Sequence, residues 1–449
     1  MKHYDLVIIG TGSGNSLPGP DLLEKYPRIA MVEESTFGGT CLNVGCIPTK
    51  MFVHAAEVAH TARDSHRFGV HAHVDYVDWP EIRNRVFGRI DPIAQGGKDY
   101  RLNDPDIDVY LGHGTFTSPT TMKVDEQEFS FDNAVIAAGA RPHIPDEVAH
   151  LRYYTNQDIM RLDQLPRSMV ILGGGFVACE FAHVFSSLGV EVHQINRSPR
   201  LLRRLDDAVS ERFTESVSWH THLGRTIDRT FEDSNGVALQ LDDGSTVVGE
   251  VLLVATGRIP NGDTLGCEAA GIVLDGTRVV VDEFGRTHAP GIWALGDISS
   301  PFQLKHVANA EMRAVRHNLL NPEDLQPMPH EHVPAAVFTH PQIAWVGLTE
   351  QEARAQGYEV AVATQNYGDI AYGWAMEDTT GFAKLIADKN SGVLLGAHII
   401  GPQASTVIQP LITAMSHGIS MRDFARSQYW IHPAMPELIE NAVLQLGLS

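Results

Sequence analysis

The feature that most constrains this chain is a pattern that occurs twice. An apolar run ends in closely spaced glycines, and a second apolar run follows about 20 residues later. Leu6-Val7-Ile8-Ile9 leads into Gly10-Thr11-Gly12-Ser13-Gly14-Asn15, with Ile29-Ala30-Met31-Val32-Glu33 beyond it. Met169-Val170-Ile171-Leu172 leads into Gly173-Gly174-Gly175-Phe176-Val177-Ala178, with Val190 to Ile195 beyond it. A strand that stops at glycines lets the backbone approach a pyrophosphate, whose charge then lies at the next helix N-terminus. Such runs alternate with amphipathic segments, so the expected fold class is α/β with parallel sheets.

Two Rossmann-like dinucleotide-binding units therefore occupy most of the chain. Val135-Ile136-Ala137-Ala138-Gly139 and Leu253-Val254-Ala255-Thr256-Gly257 each end in an Arg-x-Pro exit and mark crossings between units. Three prolines between Pro322 and Pro329 mark a linker, and the pattern beyond it reads as α+β. The expected division is residues 1–147 and 265–329 for the first unit, 148–264 for the second, and 330–449 for the last domain. At 449 residues and 43% hydrophobic there is material for several cores. A net charge of −21 argues against nucleic-acid binding. No apolar stretch reaches the length of a membrane span. The first residues run straight into a strand without a cleavable leader. With only four cysteines, a reducing cytoplasm is the expected location.

The two glycine turns lead into different surroundings. In the first, Gly10, Gly12 and Gly14 precede Glu33, an acid placed to hold a ribose hydroxyl pair. Its third glycine position is Asn15, and Pro18-Gly19-Pro20 falls where a helix should run, predicting a short or displaced helix. In the second, Gly173 and Gly175 precede Phe176 and Glu180. The next strand ends in Asn196-Arg197 instead of an acid, and Arg200, Arg203 and Arg204 come soon after. Guanidinium groups there suit a 2′-phosphate, so NADPH is expected in preference to NADH, with Arg197 and Arg203 as the main clamps.

The most specific segment is Gly38-Gly39-Thr40-Cys41-Leu42-Asn43-Val44-Gly45-Cys46-Ile47-Pro48-Thr49-Lys50. Two cysteines so spaced could be half of a zinc site, but no second ligand pair accompanies them. Cys179 and Cys267 stand alone and read as buried and inert, and no metal site is expected. A thiol pair at a helix start fits redox work, because the helix N-terminus lowers a thiol pKa.

Taken together, Gly-Gly-Thr-Cys-x4-Cys, the two glycine turns, Gly296-Asp297 and the late His432-Pro433-x-x-x-Glu437 resemble the class I pyridine nucleotide–disulfide oxidoreductases over essentially the whole chain. The resemblance implies FAD in the first unit, NADPH in the second, and a C-terminal domain that forms a homodimer. It implies that Cys46 faces the flavin as a thiolate, that Cys41 attacks the substrate disulfide, and that Lys50 and Glu180 form an ion pair beside the flavin. By the same resemblance Phe176 gates the nicotinamide pocket, Asp297 holds the ribityl chain, and the backbone amide of His306 faces the flavin pyrimidine. Thr40, Gly139 and Gly257 complete the cofactor contacts. Of 22 histidines, His432 is singled out because Glu437 can hold one ring nitrogen and raise the basicity of the other. His432 is expected to serve Cys41 of the partner subunit, so the active site is shared.

No cysteine follows Cys267, so a small disulfide must reach Cys41 directly. Gly10 to Ser16, Ser299-Ser300-Pro301 before Leu304 to Asn309, Tyr367 to Asp378, and Gln428-Tyr429-Trp430-Ile431 resemble the branch of the family that reduces mycothiol disulfide to two mycothiols. A glutathione- or lipoamide-type reductase is the alternative within the family. From another class, a subunit of a larger assembly remains open.

Overall fold

The computed structural model describes residues 1–234 and 236–448. Leu6 to Ile9 are all at most 4% exposed, as a strand buried on both faces requires. That strand, Lys2–Ile9, lies at the middle of a seven-stranded sheet. It pairs in parallel with Ile29–Glu33 on one side and Gln127–Ile136 on the other. Ile107–Leu111 extends the first side, and the antiparallel strands Thr121–Val124 and Gly114–Ser118 extend the second.

The chain leaves this sheet through Ala140–Pro142 and builds a second, four-stranded parallel one in the order His220–Leu223, Glu191–Asn196, Ser168–Leu172, Val251–Val254. A three-stranded antiparallel meander, Ile227–Asp233, Gly236–Leu241 and Thr246–Gly249, packs on one face of it through Val237, Leu239 and Leu241. The return passes through Arg258–Pro260, paired with Ala140–Pro142. The strand Ile292–Ala294 then rejoins the first sheet beside Gln127–Ile136. One nucleotide unit is thus inserted into the other, and their crossings are paired antiparallel.

The last part of the chain is a five-stranded antiparallel sheet in the order Ala335–Val337, Ile343–Gly347, Leu394–Ile400, Phe382–Asp388, Val360–Asn366. The helix Glu437–Gln445 covers it with Leu438, Ile439 and Ala442 fully buried. The fold is therefore α/β with an α+β end. Among the described residues no helix is long and apolar enough to cross a membrane.

Pro18-Gly19-Pro20 has the expected local effect. A single 3₁₀ turn, Gly14–Ser16, is followed by a six-residue helix, Pro20–Lys25, with proline at its start. The tight packing that a third glycine would supply is taken over by Gly14, where a Cβ would come within 3.0 Å of Ala137 and Ile8 side-chain carbons. Asn15, freed from that duty, is held by the buried Arg101, which donates to its Oδ1 at 2.9 Å and its carbonyl at 2.7 Å.

Candidate active site

Cys41 sits in the short helix Gly39–Asn43, and Cys46 opens the helix Cys46–Asp64. The turn between them needs a residue without a side chain: a Cβ on Gly45 would lie 2.8 Å from the Thr40 carbonyl. As free thiols the two are hydrogen-bonded to each other, and their acidities are driven apart. The hydrogen bond from Cys41, reinforced by the Lys50 charge, lowers Cys46 to about 7. The same bond and burial push Cys41 far up. The pair thus favours its first thiolate on Cys46 rather than on Cys41.

Lys50 lies four residues after Cys46 on the same helix, so both face one direction. The helix packs against Phe176–Ser187, and there Lys50 Nζ meets Glu180 Oε2 at 2.6 Å. Glu180 is only 4% exposed, and its other oxygen accepts from the Phe338 backbone N–H at 2.9 Å. Lys50 also lies 4.6 Å from the centre of the Phe338 ring. Phe338 had no signal in the sequence, because it arrives from the C-terminal sheet, just after the strand Ala335–Val337.

The first glycine turn leaves its backbone bare of side chains. Gly10 has φ +98°, and a Cβ on it would collide with the Ala137 carbonyl. Gly39, at φ +64°, passes so close to Gly12 that a Cβ on Gly39 would lie 2.7 Å from the Gly12 Cα. The two backbones make a floor without side chains. Glu33 is buried at the end of its strand and accepts four hydrogen bonds, from the N–H and hydroxyl of both Thr11 and Ser35. Thr11 and Ser35 set the direction of that carboxylate, which the glycine spacing alone did not reveal. Gly139, at φ +66°, has open space where a side chain would be.

Asp297 makes no hydrogen bond among the described residues. Burial raises its pKa, and its charge partner, Arg258 Nε, stands 3.8 Å away. Arg258 is itself buried enough for its pKa to fall, and it also reaches Thr40 Oγ1 at 3.5 Å. A half-buried carboxylate with no hydrogen bond from the described residues, over a floor of glycines, fits the hydroxyl-rich chain of a flavin nucleotide. His306 lies in the first turn of Lys305–Leu320, and its ring Nε2 is 2.8 Å from the Pro334 carbonyl, which turns the ring away from the helix start. Lys305 reaches Ser13 Oγ at 3.0 Å and tends to lower Cys41.

The second turn repeats the plan. Gly173 has φ +121°, and a Cβ there would collide with the Ala255 carbonyl. Gly174 lies against the Asn196 side chain, while Gly175 and Gly257 have nothing within 4 Å of where a Cβ would stand. Phe176 begins the following helix and is 45% exposed, a large ring facing solvent at the mouth of the site. Arg197, Arg203 and Arg204 are exposed and carry no ion pair among the described residues. Arg200 does not join them, since Asp207 and Glu211 hold it at 2.7 Å each. Among the described residues this loop therefore offers three arginines without an ion pair instead of four.

His432 Nδ1 lies 2.6 Å from Glu437 Oε1, and Glu437 Oε2 accepts from the Ala434 N–H at 3.2 Å. Glu437 is the first residue of the final helix. The carboxylate fixes the tautomer and leaves Nε2 outward, on a side chain 69% exposed. No hydrogen bond links His432 to the sulfur pair of its own chain. Tyr429 and Ile431, just before it, are the most exposed apolar side chains of this segment. Cys179 and Cys267 are buried, and burial pushes their thiols up to about 12 and about 11.

Residues 4–314 match the family described as pyridine nucleotide-disulphide oxidoreductase, and residues 333–443 match the dimerisation domain of that family. The chain is 54% identical to mycothione reductase of Mycobacterium tuberculosis, over 99% of this chain and 100% of that one. It is 32% identical to a dihydrolipoyl dehydrogenase of Mycobacterium bovis, over 98% and 97% of the two chains. Glutathione reductase of Burkholderia cepacia is 30% identical over 97% of each. Among solved structures, the HOCl-induced flavoprotein disulfide reductase RclA from Escherichia coli superposes with a TM-score of 0.85 at 28% identity, covering 98% of this chain and 99% of that one. Two nucleotide units, a sulfur pair at their junction and matches along the whole length lead to one statement: the chain belongs to the pyridine nucleotide-disulphide oxidoreductases, with the dimerisation domain of that family at its C-terminal end.

Proposed function

We propose that this enzyme reduces mycothiol disulfide to two mycothiols with NADPH, through a redox disulfide between Cys41 and Cys46. The observation that carries the chemistry is the split acidity of the sulfur pair beside the Lys50–Glu180 ion pair. The choice of substrate rests on the 54% identity to mycothione reductase over the full length.

FAD, when bound, would supply the two-electron chemistry between the NADPH hydride and the sulfur pair. Gly10, Gly12, Gly14, Glu33, Thr40, Gly139, Asp297 and the His306 backbone amide would hold that group. Gly173, Gly175, Phe176, Gly257, Arg197 and Arg203 would hold the nicotinamide nucleotide. Lys50, held in place by Glu180, keeps its ammonium beside Cys46 and favours its thiolate. Cys41, the sulfur whose proton must be removed, is the one that attacks the substrate disulfide. His432 Nε2 of the partner subunit takes the Cys41 proton and returns it to the thiol that leaves. Cys46 then attacks the mixed disulfide at Cys41, the second thiol departs, and the Cys41–Cys46 bond is restored. One disulfide is reduced by two thiol equivalents while one NADPH is oxidised, so electrons balance.

The proposed units are residues 1–147 with 265–329, then 148–264, then 330–449. The proposed setting is the reducing cytoplasm, where free thiols persist. Purified enzyme should oxidise NADPH faster with mycothiol disulfide than with an equal concentration of glutathione disulfide. The reverse order would overturn the substrate. Co-migration with a large complex, in place of a free dimer, would favour a lipoamide-type role.

A further inference from the structure

The second parallel sheet carries a cluster that the redox chemistry does not use. Glu191 and His193 are two residues apart on the strand Glu191–Asn196, and His220 and His222 are two apart on the edge strand His220–Leu223. Side chains two apart on a strand share a face. The parallel register sets His220 opposite His193, so all four point to the same side of the sheet. Their intervening neighbours turn the other way, where Val192 and Gln194 are buried.

On that side the groups are close. His193 Nε2 is 3.4 Å from Glu191 Oε1, and the His193 and His220 rings stack with centroids 4.7 Å apart and 16° between planes. One ligand atom each from Glu191, His193 and His220 lies within 4.8 Å of the others. Two nitrogen or oxygen ligands on a tetrahedral ion at 2.0–2.1 Å stand about 3.3 Å apart, close to the Glu191–His193 separation. The second nitrogen of His193 is also engaged, since Nδ1 lies 3.2 Å from His222 Nε2. A metal-bound imidazole commonly gives its other N–H to an acceptor that fixes its tautomer, and His222 stands where that acceptor belongs. Glu191 has no Lys or Arg partner among the described residues. The other grouping of this kind, His3, Asp5 and Asp132, is already compromised, because Arg28 holds Asp5 at 2.7 Å.

We infer that Glu191, His193 and His220 form a surface site for a borderline divalent cation of the zinc class, with His222 orienting His193. Two imidazoles and one carboxylate leave a fourth position for water, and imidazole suits zinc and copper over calcium or magnesium. Such an ion would fasten the edge strand to its neighbour, an edge that is otherwise four residues of unpaired backbone on one side. This site lies apart from the sulfur pair and is independent of the substrate assigned above.

The test uses flavin-loaded dimer with the Cys41–Cys46 disulfide closed, so that the thiols cannot take the metal. Titration with zinc chloride against a chromophoric chelator should give one equivalent per chain and raise the thermal midpoint. His220→Ala changes an exposed side chain and should abolish both effects, and Glu191→Gln should weaken uptake several-fold while circular dichroism stays unchanged. No zinc uptake by the parent enzyme would overturn the inference. So would uptake that persists in the His193→Ala/His220→Ala variant, or that disappears instead in an Asp132→Asn variant.

Discussion

At the scale of single residues, the chemistry rests on how differently two like groups can be made to titrate. Cys46 is held near 7 because Cys41 donates to it and Lys50 stands beside it. A thiol lowered this way carries its charge above about pH 7 and loses it below. The iodoacetamide alkylation rate of reduced enzyme should therefore rise through a midpoint near pH 7, not near the ordinary thiol value of about 8.5. Lys50→Met should move that midpoint upward, and an unmoved midpoint would remove Lys50 from the account. On the nucleotide side, Arg197 and Arg203 are free of acidic partners while Arg200 is not. Replacing both with alanine should raise KM for NADPH about tenfold or more, with a smaller effect on NADH, as expected when a charge-assisted contact worth about 1.5–3 kcal/mol is lost. Equal effects on both nucleotides would dismiss the 2′-phosphate reading. The cysteines, Glu33, Lys50, Glu180 and the arginines were legible because each sits in a local pattern with a chemical meaning. Phe338 was not, because nothing adjacent in sequence marks it; Arg258 lay in an Arg-x-Pro exit and Lys305 beside His306, but the partner each touches comes from a distant element.

Among elements, the glycine turns show what a strand-to-helix junction demands of its backbone. Gly39 combines a positive φ with a contact to the Gly12 backbone that no side chain could share. Gly39→Ala would place a Cβ in left-handed backbone, costing about 1–2 kcal/mol before the clash is counted. The expected outcome is protein purified with a lower flavin-to-protein ratio, read from its visible spectrum. A full flavin complement would mean that the two loops can part without loss. The interrupted first helix was predictable from Pro18-Gly19-Pro20. Its replacement by a 3₁₀ turn, with packing shifted to Gly14, depends on where Ile8 and Ala137 lie across the sheet.

Across the whole molecule, one apolar core runs through all three units, from Phe52 and Trp79 through Phe181 and Phe213 to Phe382 and Ile400, and polar contacts add to it. Lys384, in the C-terminal sheet, reaches both carboxylate oxygens of the fully buried Asp206 at 3.0 Å and Glu350 at 2.8 Å. Asp206 also caps the helix Asp207–Ser216 by accepting from the Ala208 N–H. Lys384→Ala would leave a buried carboxylate without its cation, which costs about 3–5 kcal/mol. Urea unfolding of the variant should begin at clearly lower denaturant, and an unchanged curve would show that the contact contributes nothing between these units. The outward face of His432 has a consequence for the dimer. Cys41→Ser and His432→Ala homodimers should each be nearly inactive. A two-fold dimer with shared sites leaves one intact site in every mixed dimer, so random reassortment should restore about a quarter of the parent activity. If each chain completed its own site, mixing would restore nothing.

What the sequence by itself determined was local: strands that stop at glycines, a thiol pair at a helix start, an arginine loop in place of an acid, and a histidine five residues before its carboxylate. These could be read because a few neighbouring residues suffice for each, and helix and strand periodicities carry the geometry. The tertiary structure decided everything that depends on distant segments meeting. It brought Lys50 to Glu180 by packing two helices 130 residues apart. It split the acidity of the two sulfurs through their hydrogen bond, burial and charge, paired Arg200 with Asp207 and Glu211, and lined up Glu191 and His193 with His220 and His222 through a strand register. Charge, burial and register are properties of what lies nearby in space, and the order of residues along the chain states them only once the sheets have formed.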